Sequence, residues 1–153
     1  MRWLEHLVPP PLVALLIAAA MWAAGHVVAP LEAPRAWRLG MAALLAAAGL
    51  ACAVAGVLAF RRAGANIDPH RIDKGEALVT EGIYRHTRNP MYLGVALVLL
   101  GYSVYLIRPV EFLGPLAFLA FITRFQILPE ERAMASKFGV RYEAYASAVR
   151  RWI

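Results

Sequence analysis

The sequence predicts an all-α integral membrane protein, with about four transmembrane helices and an amphipathic helix lying at the surface near the C-terminus. Three observations carry this. Apolar residues make up 61% of the 153 and charged residues 17%, well off the soluble average. The charge is also segregated: four blocks, roughly 12–28, 37–60, 91–107 and 112–128, hold almost none of it. At about 17–24 residues each and ~1.5 Å rise per residue, these blocks approach the ~30 Å of a bilayer core.

The first block follows Pro9-Pro10-Pro11, has only Arg2 as a basic start and runs long. It reads as a retained helix rather than a cleaved signal, with Trp22 and His26 as interfacial residues. The second block is rich in Ala and Gly, and Gly49 and Gly56 stand seven apart on nearly one face. Small residues let helix backbones approach closely in lipid, so this is a packing helix, within the chain or between chains. Arg61-Arg62 ends it. Turn formers (Gly64, Asn66, Asp68, Pro69, Asp73, Gly75, Glu76) then fill a long loop over 63–81, expected to be ordered.

The third block opens at Pro90, which disfavours helix at Asn89 and suits the first turn of the helix that follows, with Asn89 as its N-cap. Tyr102, Ser103 and Tyr105 anchor its far end. Arg108-Pro109 is a tight turn, so the third and fourth blocks form an antiparallel hairpin. That returns Thr123, Arg124 and Gln126 to the level of residues 84–89. Pro129 is expected to break or kink the chain, placing Glu130-Glu131 at a helix N-terminus. Met134, Phe138, Tyr142, Tyr145 and Val149 then recur at helical spacing, which predicts one amphipathic surface helix over 130–149. Arg150-Arg151-Trp152 reads as an interfacial anchor.

The formal net charge of +6 follows membrane topology rather than a nucleic-acid footprint. Six Lys and Arg fall within 61–88 and six from Arg124 onward. The positive-inside rule therefore puts the middle loop, the C-terminus and, with four spans, the N-terminus on the cytoplasmic side, as in a bacterial inner membrane. Cys52 is alone, and His6, His26, His70 and His86 are scattered without ligand spacing, so no metal site is expected.

Chemistry concentrates in residues 78–94, which hold Arg85, His86, Arg88, Tyr84, Tyr92, Gly82 and Gly94 at a membrane boundary. The free amides at the helix start, with Arg88 beside them, suit a carboxylate or phosphate. Tyr84 and Tyr92 offer ring faces to a cation.

The order Gly82-x-Tyr84-x-x-x-Arg88-x-Pro90-x-Tyr92-x-Gly94, a hairpin, Glu130-Glu131, then Phe138-Gly139-x-x-Tyr142-x-x-Tyr145 and a basic-aromatic end resembles the isoprenylcysteine carboxyl methyltransferase family and the related phospholipid methyltransferases. The resemblance covers roughly 67–152. It implies a membrane enzyme that uses S-adenosylmethionine to methylate a carboxylate, amine or thiol on a lipophilic acceptor delivered from the membrane. The matching cofactor positions are Leu78, Val79, Tyr84, His86, Arg88, Asn89, Pro90, Tyr92 and Glu130. The catalytic candidates are Glu130, Glu131, Arg124 and Gln126. Asn89 stands where the family has histidine, and Gln126 where the isoprenylcysteine enzymes have a substrate-binding arginine. The chain then divides into a helical hairpin over 1–62 and a cofactor-binding, catalytic region over 63–153, within one domain. Two rival functions are a small membrane reductase and a non-catalytic scaffold of the same fold.

Overall fold

Proline sets the start of most helices in this protein, because its fixed φ and missing N–H suit the first turn of a helix and little else in one. The computed structural model describes residues 8–24, 28–63 and 78–153. Among these, α1 spans Pro10–Ala24, α2 Arg35–Arg62 after Pro34, and α3 Pro90–Leu106. A 3₁₀ turn over Pro109–Phe112 leads into α4 (Leu113–Ile122), a π-helical turn (Thr123–Ile127) and α5 (Leu128–Phe138). Then comes α6, Val140–Ala148. The described residues contain no strand, as the all-α expectation requires. Most of the long loop, together with His26, lies outside the described residues.

Two of these helices are long and apolar enough to cross a bilayer: Arg35–Arg62, and the continuous run Pro109–Phe138. The apolar helices Pro10–Ala24 and Pro90–Leu106 are shorter, at 15 and 17 residues, against the ~20 that span a bilayer without adjustment. The third helix stops where it does because Ile107 takes a left-handed conformation, φ 51°, and Pro109 follows. Much of the apolar surface points outward: Leu44 is 62% exposed and Leu50 63%. That is the reverse of a water-soluble helix bundle and suits a lipid surround.

The third helix stands in the middle. Its Gly94 meets α2 at Gly49 so closely that a Cβ on Gly49 would lie 2.5 Å from the Gly94 carbonyl oxygen, and a Cβ on Gly94 would strike the Gly49 carbonyl and Ala53. Gly101 meets the Ala42 carbonyl in the same way, and Gly56 takes Pro90 and Met91 against its bare Cα. The small-residue face of α2 is therefore used within the chain. On its other side α3 joins α1 and α4 in a core of Val13, Met21, Ala96, Leu99, Phe118 and Ile122. At the far end, Arg108 Nε donates to the Val28 carbonyl at 2.7 Å and the Leu31 N–H to the Ile107 carbonyl at 2.8 Å, which ties the α1–α2 connection to the α3–α4 turn.

Two expectations need correction. Pro129 neither breaks nor ends the helix: α4, the π turn and α5 run on without interruption. A proline removes one backbone donor, and the widened turn just before it has already changed the bonding register. The predicted single surface helix over 130–149 is in fact two, divided at Gly139, whose φ of 52° and ψ of −130° lie outside helical space.

The close α2–α3 contact generates a test. Gly94→Ala is expected to lower unfolding free energy by about 1–3 kcal/mol in detergent, the usual cost of overpacking. Gly40→Ala, at a position with nothing within 4 Å, leaves it unchanged or slightly raised.

Candidate active site

Pro90 decides where the backbone of the site runs. Asn89 before it sits at φ −131°, ψ 55°, outside the helical region that a following proline disfavours. Upstream, Gly82 opens a 3₁₀ turn (Gly82–Arg85) at φ 63°, a left-handed value suited to a residue without a Cβ. That turn drives Tyr84 inward to 5% exposure, with its ring in T-shaped contact with Phe60 of α2 at 5.4 Å. Burial, then the neighbouring Tyr145 and Glu130, push the Tyr84 phenol well above its ordinary range. The Tyr84 carbonyl accepts a 2.8 Å hydrogen bond from the Tyr145 hydroxyl, whose own phenol burial pushes it up to about 12.

The next three residues are held by the end of the chain. Arg88 N–H donates to the Arg150 carbonyl at 3.1 Å. The Arg151 carbonyl accepts from Thr87 Oγ1 at 3.3 Å and from Asn89 Nδ2 at 3.0 Å. Thr87, 3% exposed, also accepts the Asn89 N–H at 3.2 Å. Asn89 is thus at the N-cap position, but its side chain does not cap the helix; it reaches the C-terminal tail instead. Arg151 corrects the reading of the tail as a plain interfacial anchor. Its Nε and Nη2 donate to the two oxygens of Glu131 at 2.9 and 2.7 Å, and Trp152 packs half-buried against the core.

Adjacent carboxylates here meet different surroundings. Glu131 lies between two guanidiniums, with Arg88 Nη1 at 3.3 Å in addition to the Arg151 fork. The hydrogen bond to Glu131, ahead of the cost of burial, raises the Arg151 guanidinium above its already high value. Glu130 instead accepts the Tyr92 hydroxyl at 2.7 Å and makes no ion pair among the described residues. Two carboxylates set apart in this way are suited to two different jobs. Glu131 has both oxygens engaged by guanidinium donors, whereas Glu130 has a single phenol donor among the described residues. Arg88 Nη1 also donates to the Tyr142 hydroxyl at 3.3 Å, while Arg88 Nε is buried with no hydrogen-bond partner among the described residues. A buried, charged donor left open in this way fits an anionic or carbonyl group of a ligand.

The remaining candidates divide. Pro90 is buried against Gly56, and Leu78 and Val79 are half-buried on the approach to the 3₁₀ turn. His86 is exposed. Thr123 turns to its own helix, donating to the Leu119 carbonyl at 2.6 Å. Gln126 is 4% exposed and donates to the Val8 carbonyl at 3.1 Å, and Arg124 is exposed with its guanidinium 5.5 Å from the Phe125 ring. What the fold gathers around Arg88 is therefore Glu131, Tyr142 and Arg151, with Tyr92 and Glu130 on the same helix pair. Thr87, Tyr142, Tyr145 and Arg151 were not singled out as site residues. The sequence signal for Tyr142, Tyr145 and Arg151 is their polar and aromatic character in a basic C-terminal end that equally fits a membrane surface, whereas Thr87 lies within the 78–94 stretch itself.

Apolar helices ending in a polar, arginine-bearing cluster define a membrane-type protein with its polar chemistry gathered at one helix entry. More particularly, the chain belongs to the phospholipid methyltransferase family, whose pattern matches residues 37–141. The match ends before Tyr142, Tyr145 and the tail. An uncharacterized protein of Haemophilus influenzae is 41% identical over 63 residues, 41% of this chain and 100% of that protein. Protein-S-isoprenylcysteine O-methyltransferase A of Arabidopsis thaliana is 38% identical over 80 residues, covering 50% of this chain but only 39% of the plant protein.

The Tyr92–Glu130 hydrogen bond predicts a measurable coupling. A double-mutant cycle of Tyr92→Phe with Glu130→Gln, read by unfolding in detergent, is expected to give an interaction energy of about 1 kcal/mol or more. The same tyrosine substitution paired with Glu131→Gln is expected to be additive.

Proposed function

We propose that the protein is an S-adenosylmethionine-dependent methyltransferase embedded in a bilayer, acting on a lipophilic acceptor that enters from the membrane. The observation that carries this reading is the buried Arg88 Nε, without a hydrogen-bond partner among the described residues, together with the Tyr92–Glu130 pair at the entry of a family-matched apolar helix. Arg88 would hold the carboxylate of the cofactor, Glu130 its hydroxyls, and the aromatic rings around them would face its cation. When bound, the cofactor supplies an electrophilic methyl group on a sulfonium. The chain's own part is to hold the reactants in line and exclude water, which is most of what such a displacement requires of a protein.

The proposal includes four spans, with both termini and the site on the cytoplasmic side. The short α1 and α3 would cross by local thinning of the bilayer and by snorkelling of their flanking residues. The acceptor atom is a carboxylate, amine or thiol. A prenylcysteine carboxylate finds no cation at position 126, where the Gln126 amide is engaged with the Val8 carbonyl.

Calorimetric titration of the detergent-purified protein with S-adenosylhomocysteine tests this directly. Micromolar binding is expected, weakened by about tenfold or more in Arg88→Ala and Glu130→Ala, each of which removes a group assigned to the ligand. Transfer of a labelled methyl group into a membrane lipid extract should follow. A folded protein that binds none of the ligand would leave the scaffold or, if it bound a reduced nicotinamide, the reductase.

A further inference from the structure

The tail that crosses the site lies beyond the family match, and it makes more polar contacts with the motif than any other segment described above. Residues after α6 leave the helix at Val149, whose φ of −121° and ψ of 131° are extended. In that extended path the carbonyls of two successive residues, Arg150 and Arg151, take up donors from Thr87, Arg88 and Asn89. The side chain of Arg151 then turns to Glu131 and fills both of its oxygens. One strap therefore grips the motif by its backbone and Glu131 by its charge.

The charge count around Glu131 matters. A carboxylate can accept a guanidinium through two parallel hydrogen bonds, and that fork is the geometry both groups prefer. Arg151 has it, at 2.9 and 2.7 Å. Arg88 has a single, longer contact of 3.3 Å with the same carboxylate, and its Nε is left open among the described residues. Without Arg151, Glu131 would be a half-buried carboxylate (17% exposed side chain) with one guanidinium in reach. Arg88 would then close on it as a fork and lose the donor that the ligand needs.

We infer that Arg151 is a positioning residue that occupies Glu131 and so keeps the Arg88 guanidinium open for an anionic ligand group, with the 150–151 strap holding the motif in place for it. This rests on the methyltransferase reading for the identity of the ligand, but not for the strap itself. The arrangement makes the far end of the chain part of the binding site through two intermediaries, Glu131 and Arg88, rather than through contact with the ligand.

The test combines binding with hydrogen exchange on the full-length protein in detergent. S-adenosylhomocysteine affinity is expected to fall by about 10- to 100-fold in Arg151→Ala, the range for losing a charged hydrogen-bonding group. The double variant Arg151→Ala/Glu131→Gln should recover most of that loss, because a neutral amide no longer captures Arg88. Arg151→Lys should sit between, since an ammonium neutralises Glu131 without filling both oxygens. Exchange at the Arg88 amide, protected through Arg150, is expected to speed up in Arg151→Ala and not in Glu130→Gln. Unchanged affinity in Arg151→Ala, or a double variant weaker than the single, overturns the positioning role. If the wild-type protein binds none of the ligand, the methyltransferase reading fails by itself. The exchange arm still decides the strap: an Arg88 amide equally protected with and without Arg151 overturns it.

Discussion

The polar end of the molecule depends on the carboxylate of Glu131 having two guanidiniums within reach. One of them, Arg151, belongs to the last residues of the chain, and the other, Arg88, to the turn before α3. Taking a carboxylate half out of water costs several kcal/mol before any partner is counted, and a single partner seldom restores all of it. Two guanidiniums around one carboxylate come closer. The result joins three segments far apart in sequence: residues 87–89, the start of α5, and the tail. Glu130, one residue away, has only a phenol for a partner among the described residues, so two adjacent carboxylates stand in unlike electrostatic surroundings.

The apolar end reaches the same site mainly by packing. Gly49, Gly56 and Phe60 follow one another along a single face of α2. The first admits the backbone of α3, the second seats Pro90, and the third receives the ring of Tyr84. With one side-chain hydrogen bond, from the Cys52 thiol to the Pro90 carbonyl at 3.3 Å, this apolar helix fixes both the height at which α3 begins and the inward turn of the tyrosine before it. Packing density of this kind tolerates little error, since backbone in contact with backbone cannot relax by a rotamer change.

Much of this was legible in the sequence, and what was not has physical causes. The helix starts at Pro10 and Pro90 and the turn at Arg108-Pro109 follow from proline chemistry, and the packing face of α2 from its glycines. The segregation of charge placed the site at one end. The continuity of the helix through Pro129 was not legible, because a proline reads as a break unless the wider turn ahead of it is known. Gly139 was hidden inside a helical spacing of aromatics that persists on both sides of it. The role of Arg151 was hidden for a different reason. An Arg-Arg-Trp end has the same composition whether it lies on a membrane or folds back onto a carboxylate, and only the long-range partner separates the two. Asn89 shows the same limit, since its N-cap position was foreseen while its side chain serves the tail.

The π-helical turn at Thr123–Ile127 has a mechanical meaning. Each turn of that kind carries about one residue more than an α-helical turn, so whatever follows it is set round the axis by roughly 100° and pushed along it by ~1.5 Å. The helix therefore has two parts with separate phases: α4 takes its azimuth from packing against α1, and α5 takes its own from the ion pairs of Glu131 with Arg88 and Arg151.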